Sequence, residues 1–493
     1  MDDVRLPPIL RTAELRAIES RHAGANLMER AGAAAAAVAQ AMLAESRGGT
    51  AVVLAGPGNN GGDGFVVARE LRRAFHDVDV VFAGDAAKLP PAARAAHASF
   101  VAAGGSTIRE PRKVTASLVV DALFGIGLAR PATGGYATLV AWANACGAPI
   151  LALDVPTGLD ADTGALHAPA IRATATATFI ALKPGLVTGD GLDAAGVVSV
   201  HALGLEAELA DAAGHKLDWP LVDAMRPDCL SRARRNVHKG TYGTLAIVGG
   251  APGMTGAPIL AGRAAARTGA GKVRLGFVAS PHPAVDWGAP ELMLGDAMRA
   301  IDGADAIVAG PGMGTSDASA NALRRAIEAP VPLALDADAL NLVALSASLR
   351  ETVAARTAPT LATPHPAEAA RLLGRSTVDV QRDRVAAAGA LSTLLNAHVV
   401  LKGAGSVLAH PGGRYDVNAS GNPALATAGS GDVLAGMLGA MLAQGLDAAS
   451  ALRYAVCLHG AAADRLVARG VGPIGVGASE LADAARELLN RAV

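Results

Sequence analysis

Short apolar, β-branched runs alternate with longer alanine-rich segments along the chain, the pattern that parallel α/β sheets produce. In the first half this pattern predicts strands at 51–55, 78–82, 118–121, 150–154, 177–181 and 197–200. Across 204–242 it breaks, with acidic and then basic residues, Pro220 and Pro227, and no clear period. It resumes with strands expected at 244–248, 273–277, 306–309, 333–336, 360–363 and 398–402, followed by helical segments from Asp432 onward. A chain of 493 residues exceeds what one core usually holds, since cores split beyond roughly 250–300 residues. Two α/β domains are expected, 1–215 and 225–493. They differ in kind, because their glycine motifs occupy different places in the strand order.

Composition narrows the partners. Lys and Arg total 43 against 44 Asp and Glu, so no global field favours nucleic acid or an anionic membrane. The basic stretch from Arg232 to Lys239 reads as a solvated linker. Cys146, Cys229 and Cys457 are widely spaced, which argues against a disulfide framework or a zinc site and for a reducing cytoplasm. Met1-Asp2-Asp3-Val4-Arg5 lacks the basic and apolar regions of a secretory signal. The apolar runs 31–39 and 433–442 are shorter than the roughly 20 residues of a membrane span. Large alanine-rich helical surfaces make a homo-oligomer the expectation.

The first chemical signal is Gly56-Pro57-Gly58-Asn59-Asn60-Gly61-Gly62-Asp63-Gly64, after a strand and before a helix. Gly56, Gly58 and Gly61 satisfy the dinucleotide fingerprint G-x-G-x-x-G. The asparagines and Asp63 add oxygens that a phosphate does not want, and the next strand ends in Gly84-Asp85 rather than a clear ribose-binding carboxylate. Asp121 and Asp154 also end strands, and Thr157 follows Asp154 closely. Loops after adjacent parallel strands face one crevice, so Asn60, Asp121, Asp154 and Thr157 can converge there. Each strand-end aspartate could equally be a helix cap or a turn residue. Together, an amide oxygen, carboxylates and a hydroxyl suit a hard cation, and the lack of His and Cys disfavours zinc.

These segments, with Asp121–Gly127 and Asp154-Val155-Pro156-Thr157-Gly158, resemble the epimerase domain of the NAD(P)H-hydrate repair enzymes over roughly residues 11–204. The resemblance implies a Rossmann-like domain. Its hydrated-nucleotide site would be lined by Asn59, Asn60, Gly61, Gly62 and Asp63, and by Gly125, Ile126, Gly127, Leu128, Ala129, Arg130 and Pro131. Asp154 would contact substrate and act as its acid/base residue, while Asn60, Asp121 and Thr157 would hold a potassium ion. Thr157 stands where serine is more usual and keeps the hydroxyl. Ile126 stands where threonine is more usual.

The second signal is Ala428-Gly429-Ser430-Gly431-Asp432 before a helix expected near Asp432. Free N–H groups at such a turn form an anion hole, and Asp432 could take a proton from a substrate hydroxyl or could simply cap the helix. No G-x-x-x-x-G-K-[ST] occurs, which excludes a P-loop. This turn resembles the ribokinase-like superfamily. Together with Gly253–Ala257, Gly310-Pro311-Gly312 and Pro364-His365-Pro366 it resembles the ADP-dependent NAD(P)H-hydrate dehydratases, from about Val237 onward.

That resemblance places Ala257, Gly312, His365 and Asp432 on the hydrate, with Asp432 as base. It places Lys402, Gly403, Ala404, Gly405, Ser406 and Gly431 on the adenine nucleotide. ADP would be co-substrate with Mg2+; Asp336 and Asp338 could be metal ligands or turn and cap residues. The implied enzyme is bifunctional, with NADHX, NADPHX and ADP as substrates. A second reading keeps the C-terminal domain as a small-alcohol kinase and the N-terminal domain as a regulatory nucleotide-binding module.

Overall fold

The computed structural model describes residues 6–45, 48–128 and 130–490. Met1–Arg5, on which the absence of a secretory signal was read, and Ala129 lie outside the described residues. The chain separates into two compact units, Pro7–Gly214 and one built mainly from His215–Val493.

In the first unit seven strands form one sheet in the order Thr107–Ile108, Val78–Phe82, Thr50–Ala55, Ala116–Ala122, Ile150–Leu153, Ala175–Phe179 and Val197–His201. All pair in parallel. Strand Thr50–Ala55 is buried throughout because both sheet faces are covered. Helices Leu27–Ala44, Asn59–Arg73 and Pro91–Ala102 pack on one face, and Gly135–Ala145 on the other. Strand order reverses between Thr50–Ala55 and Ala116–Ala122, so the chains leaving their carboxyl ends diverge and open a crevice.

Two glycines let that crevice form. A Cβ on Gly56 would lie 1.7 Å from the Leu123 carbonyl oxygen, and one on Gly61 would lie 2.0 Å from the Gly56 carbonyl oxygen. Both are needed for backbone to meet backbone, whereas Gly58 has open space around it. Gly56→Ala should therefore destabilise this unit by about 1–3 kcal/mol, the usual cost of overpacking. Denaturant unfolding would show it as a lowered midpoint, and Gly58→Ala should move the midpoint much less.

The second unit repeats this logic with other strands. Thr244–Gly249 pairs in parallel with Lys272–Phe277 on one side and Ala306–Ala309 on the other. Met293–Asp296 extends the first side; Leu333–Leu335, Thr360–Ala362 and His398–Leu401 extend the second, all parallel. Val407–Ala409 and Tyr415–Asn418 then add an antiparallel meander. The order reverses between Thr244–Gly249 and Ala306–Ala309, giving a second crevice. Helices Gly256–Arg267, Ser430–Ala443 and Ala448–Ala468 build the large core beneath it.

The chain is thus a two-domain α/β protein. The strand expected at 177–181 lies at Ala175–Phe179, and Asp154, Asp336, Thr363 and Lys402 stand just past their strands. The helix expected near Asp432 starts at Ser430. Among the described residues no helix is long and apolar enough to cross a membrane, and the three cysteines are free.

Candidate active sites

The first crevice holds a cavity of about 680 Å3 within the Pro7–Gly214 unit. Helix Asn59–Arg73 starts at its edge with Gly58 as N-cap and no side-chain cap, leaving first-turn N–H groups for a ligand. Asn59, Asn60 and Asp63 line the cavity, as do Gly125, Ile126, Gly127, Leu128 and Asp154. Gly61 and Gly62 are not among the lining residues, and both are closely packed; a Cβ on Gly62 would strike Met28. Arg130 and Pro131 are exposed and lie outside the lining.

Beneath the cavity Asp121 and Thr157 are fully buried and hold each other. The Thr157 hydroxyl donates to Asp121 Oδ1 at 2.7 Å, and the Thr157 N–H donates to Oδ2 at 2.8 Å. The same hydroxyl accepts from the Phe124 N–H at 3.0 Å, which ties this pair to the loop carrying Gly125. Burial pushes the Asp121 carboxyl up to about 6, with hydrogen bonds from Thr157 and the Leu123 N–H acting the other way. Among the described residues the buried Asn60 Oδ1 and Nδ2 have no hydrogen-bond partner. A Cβ on Gly125 would lie 3.3 Å from Asn60 Oδ1 and 3.1 Å from Asp154 Oδ2, so carboxamide and carboxylate flank one small space. An unsatisfied amide oxygen and a buried carboxylate are oxygen donors of the kind a hard cation takes.

Asp154 has φ of 65°, a left-handed backbone that costs a non-glycine residue energy and clusters at functional sites. Its Oδ1 is 2.5 Å from Lys183 Nζ, and that ammonium also donates to Thr178 Oγ1 at 2.8 Å and the Phe179 carbonyl at 2.7 Å. Lys183 is 1% exposed and all three of its donors are used. Asp63 faces the same cavity with its carboxyl well above the usual range, through burial first and then repulsion from Asp154 and Glu19. Burial, with Asp154 adding, also raises Glu19.

At the second crevice the Gly249 and Pro311 backbones touch; a Cβ on Gly249 would lie 2.0 Å from the Pro311 carbonyl oxygen. One on Gly312 would lie 3.1 Å from Ala257 Cβ, which places those two expected substrate contacts side by side. Helix Ser430–Ala443 begins with Gly429 left-handed and no side-chain cap, so Asp432 does not cap it. Burial and repulsion from Asp336 push the Asp432 carboxyl up to about 6, while Lys402 pulls it down. A Cβ on Gly431 would lie 3.4 Å from Lys402 Nζ.

Lys402 Nζ pairs with Asp336 Oδ1 at 2.9 Å, and Thr363 Oγ1 donates to the same oxygen at 2.6 Å. Burial lowers the Lys402 pKa, but Asp336, Glu368 and Asp432 outweigh it and leave it raised. Asp338 accepts from the Gly314 N–H and from Asn341 Nδ2, so neither Asp336 nor Asp338 stands idle as a metal ligand. His365 caps helix Pro366–Leu373 through Nδ1. The turn Lys402–Ser406 links two antiparallel strands and is closed by Ser406 Oγ donating to the Gly403 carbonyl at 3.0 Å. Arg384, buried under it, donates to the Leu401 and Lys402 carbonyls.

A family model described as NAD(P)H-hydrate dehydratase matches residues 245–486, and one described as YjeF-related protein N-terminus matches residues 24–185. A bifunctional NAD(P)H-hydrate repair enzyme of Coxiella burnetii is 38% identical over 492 residues, covering 98% of each chain. The chain belongs to the bifunctional NAD(P)H-hydrate repair enzymes. The repair enzyme of Escherichia coli is 38% identical over 475 residues, covering 94% of this chain and 89% of its own. Among solved structures, an ADP/ATP-dependent NAD(P)H-hydrate dehydratase of Bacillus subtilis, co-crystallised with ATP and Mg2+, is 31% identical. It covers 55% of this chain and 95% of its own, with a TM-score of 0.46.

Family membership sets aside the kinase-with-sensor reading, because both halves are repair-enzyme domains. Sequence reasoning missed Lys183, Glu19 and Arg384. Lys183 had a visible signal, a lone lysine closing the apolar run Phe179-Ile180-Ala181-Leu182. Glu19 had none, since it reaches the cavity from helix Thr12–Arg21, far away in sequence.

Proposed function

We propose that the first unit interconverts the R and S epimers of NADHX and NADPHX, and that the second dehydrates the S epimer with ADP as phosphoryl donor. One observation carries this reading: each unit sets an acidic side chain beside a lysine at the carboxyl ends of its parallel strands, Asp154 with the buried Lys183 and Asp432 with the half-buried Lys402. The hydrate has a hydroxyl on the ring carbon next to nitrogen. Opening this hemiaminal and reclosing it on the other face needs a proton acceptor and a donor. Asp154, held by Lys183, is the acceptor, and Asp63, whose carboxyl burial shifts toward the protonated form, is the donor.

A potassium ion held by Asn60, Asp121 and Thr157 would offset the buried negative charge and orient the substrate hydroxyl. In the second unit Asp432 removes the proton from the ring hydroxyl, whose oxygen attacks the β-phosphorus of ADP and releases AMP. Loss of phosphate from that carbon, with a proton from the neighbouring carbon, restores the ring double bond of NADH or NADPH. Magnesium would enter with the nucleotide phosphates and offset their charge. We place the enzyme in the cytoplasm and expect it to self-associate; sedimentation would measure the latter.

The test supplies mixed NADHX epimers with ADP and Mg2+ and follows NADH absorbance. Wild type should convert both epimers. Asn60→Ala should stop near half at early times, when only the S epimer is consumed. Replacing K+ by choline should slow the second half of the wild-type reaction and leave the first half unchanged. A wild type that itself stops near half would overturn the epimerase assignment.

A further inference from the structure

The first unit has a second cleft, of about 660 Å3, at the carboxyl end of strand Val78–Phe82. Pro57 of the glycine loop lines both this cleft and the cavity with Asp154. The aromatic pair Phe124 and Tyr136 also joins them. Their rings meet edge-on at 5.1 Å, with Phe124 facing the cavity and Tyr136 facing the cleft. Lys88 and Arg109 stand on the cleft wall, both exposed. Among the described residues neither forms an ion pair, unlike Arg69, which pairs with Glu29, and Arg112, which pairs with Asp79. Among the described residues Asp85 is the one carboxylate on the wall, and its Oδ1 already accepts the Ala87 N–H at 3.0 Å.

We infer that this cleft holds the adenosine end of the hydrated dinucleotide, and that Lys88 and Arg109 bind the 2′-phosphate that distinguishes NADPHX from NADHX. The inference rests on the epimerase reading of the neighbouring cavity. With the reacting ring beside Asp154, the pyrophosphate lies along the uncapped first turn at Gly58–Asn60, and the chain of the ligand leaves over Pro57 toward the next strand. Tyr136 offers an aromatic face for a base. Two unpaired cations around one carboxylate that is already engaged give a net positive wall, which a phosphate monoester fits and a bare ribose hydroxyl does not need. The first unit is therefore selective for the phosphorylated hydrate.

The test compares epimer interconversion of NADPHX and NADHX by the full chain without ADP, so that the dehydratase stays idle. Lys88→Ala/Arg109→Ala should lower the NADPHX-to-NADHX ratio of kcat/KM by about tenfold to a hundredfold, the range for losing hydrogen bonds to a charged group. The change should fall on KM, and Lys88→Arg/Arg109→Lys should keep most of the ratio. An unchanged ratio in the alanine pair, or an equal loss with both substrates, overturns the proposal. Calorimetry with adenosine 2′,5′-bisphosphate against adenosine 5′-phosphate separates it from the epimerase reading. The alanine pair should lose the wild-type preference for the bisphosphate even if turnover is absent, and a preference that survives also overturns it.

Discussion

Asp432→Asn should abolish dehydration while leaving epimerisation intact. A positioned general base contributes typically 10²–10⁴-fold, so NADH formation from the S epimer should fall by about that factor. ADP binding should change little, because the asparagine keeps the shape of the uncapped helix start and Lys402 keeps its partner Asp336. Wild-type dehydration should rise with pH through about 6, where burial has moved the Asp432 carboxyl, and level off above it. The variant should show no such limb. A variant that retains the rise would assign the ionisation to another group.

Stability should move the opposite way. The folded-state pKa of Asp432 is raised above its ordinary value of 3.8, so protonation favours the fold. That contribution is fully present below about pH 4 and is lost as pH rises through about 6. At pH 7 the charged carboxylate therefore strains the folded unit, and Asp432→Asn should stabilise it by on the order of 1–2 kcal/mol after allowance for its partial exposure to solvent. Thermal unfolding at pH 7 and at pH 4 would show a gain at the first and little at the second. Loss of activity with gain of stability marks a site held in an unfavourable state for function.

How much of these sites could be read in advance follows from where each residue sits. The places of Asn60, Asp121 and Asp154 were legible because strand-end loops in parallel sheets face one crevice and apolar runs mark the strand ends, whereas Asp432 was read from the glycine turn before its helix. Strands Met293–Asp296 and Tyr415–Asn418 were not, since one is a partly exposed edge strand and the other alternates polar with apolar residues while being buried. The glycine loop was only half legible. Its pattern marks the turn, but Gly56 and Gly61 turn out to serve backbone packing, and the open position is Gly58. His365 shows the same limit, because its motif says nothing of the capping bonds to Ala367 and Glu368 that orient the ring. Lys183 matters most among the omissions. A buried lysine is a consequence of tertiary placement, and its partner Asp154 lies on a different strand end.

That pair yields the most decisive expected result for the first unit. Asp154→Asn should lose epimerase activity, by a factor comparable to that for Asp432, because it removes the proposed proton acceptor. It also leaves the Lys183 ammonium buried with only neutral acceptors, Thr178 and the Phe179 carbonyl. Breaking a buried pair from one side costs about 3–5 kcal/mol, so the variant should unfold at clearly lower denaturant. Stability loss alone could mimic a catalytic defect, and the double variant separates the two. Asp154→Asn/Lys183→Met removes both charges, and replacing a buried pair by neutral groups of similar volume is often neutral or stabilising. Its unfolding midpoint should return toward wild type while epimerisation stays lost. Recovered epimerisation in the double variant would show that Asp154 served only to neutralise Lys183, and would move the proton transfer to Asp63 or Glu19, the other carboxyls facing the cavity.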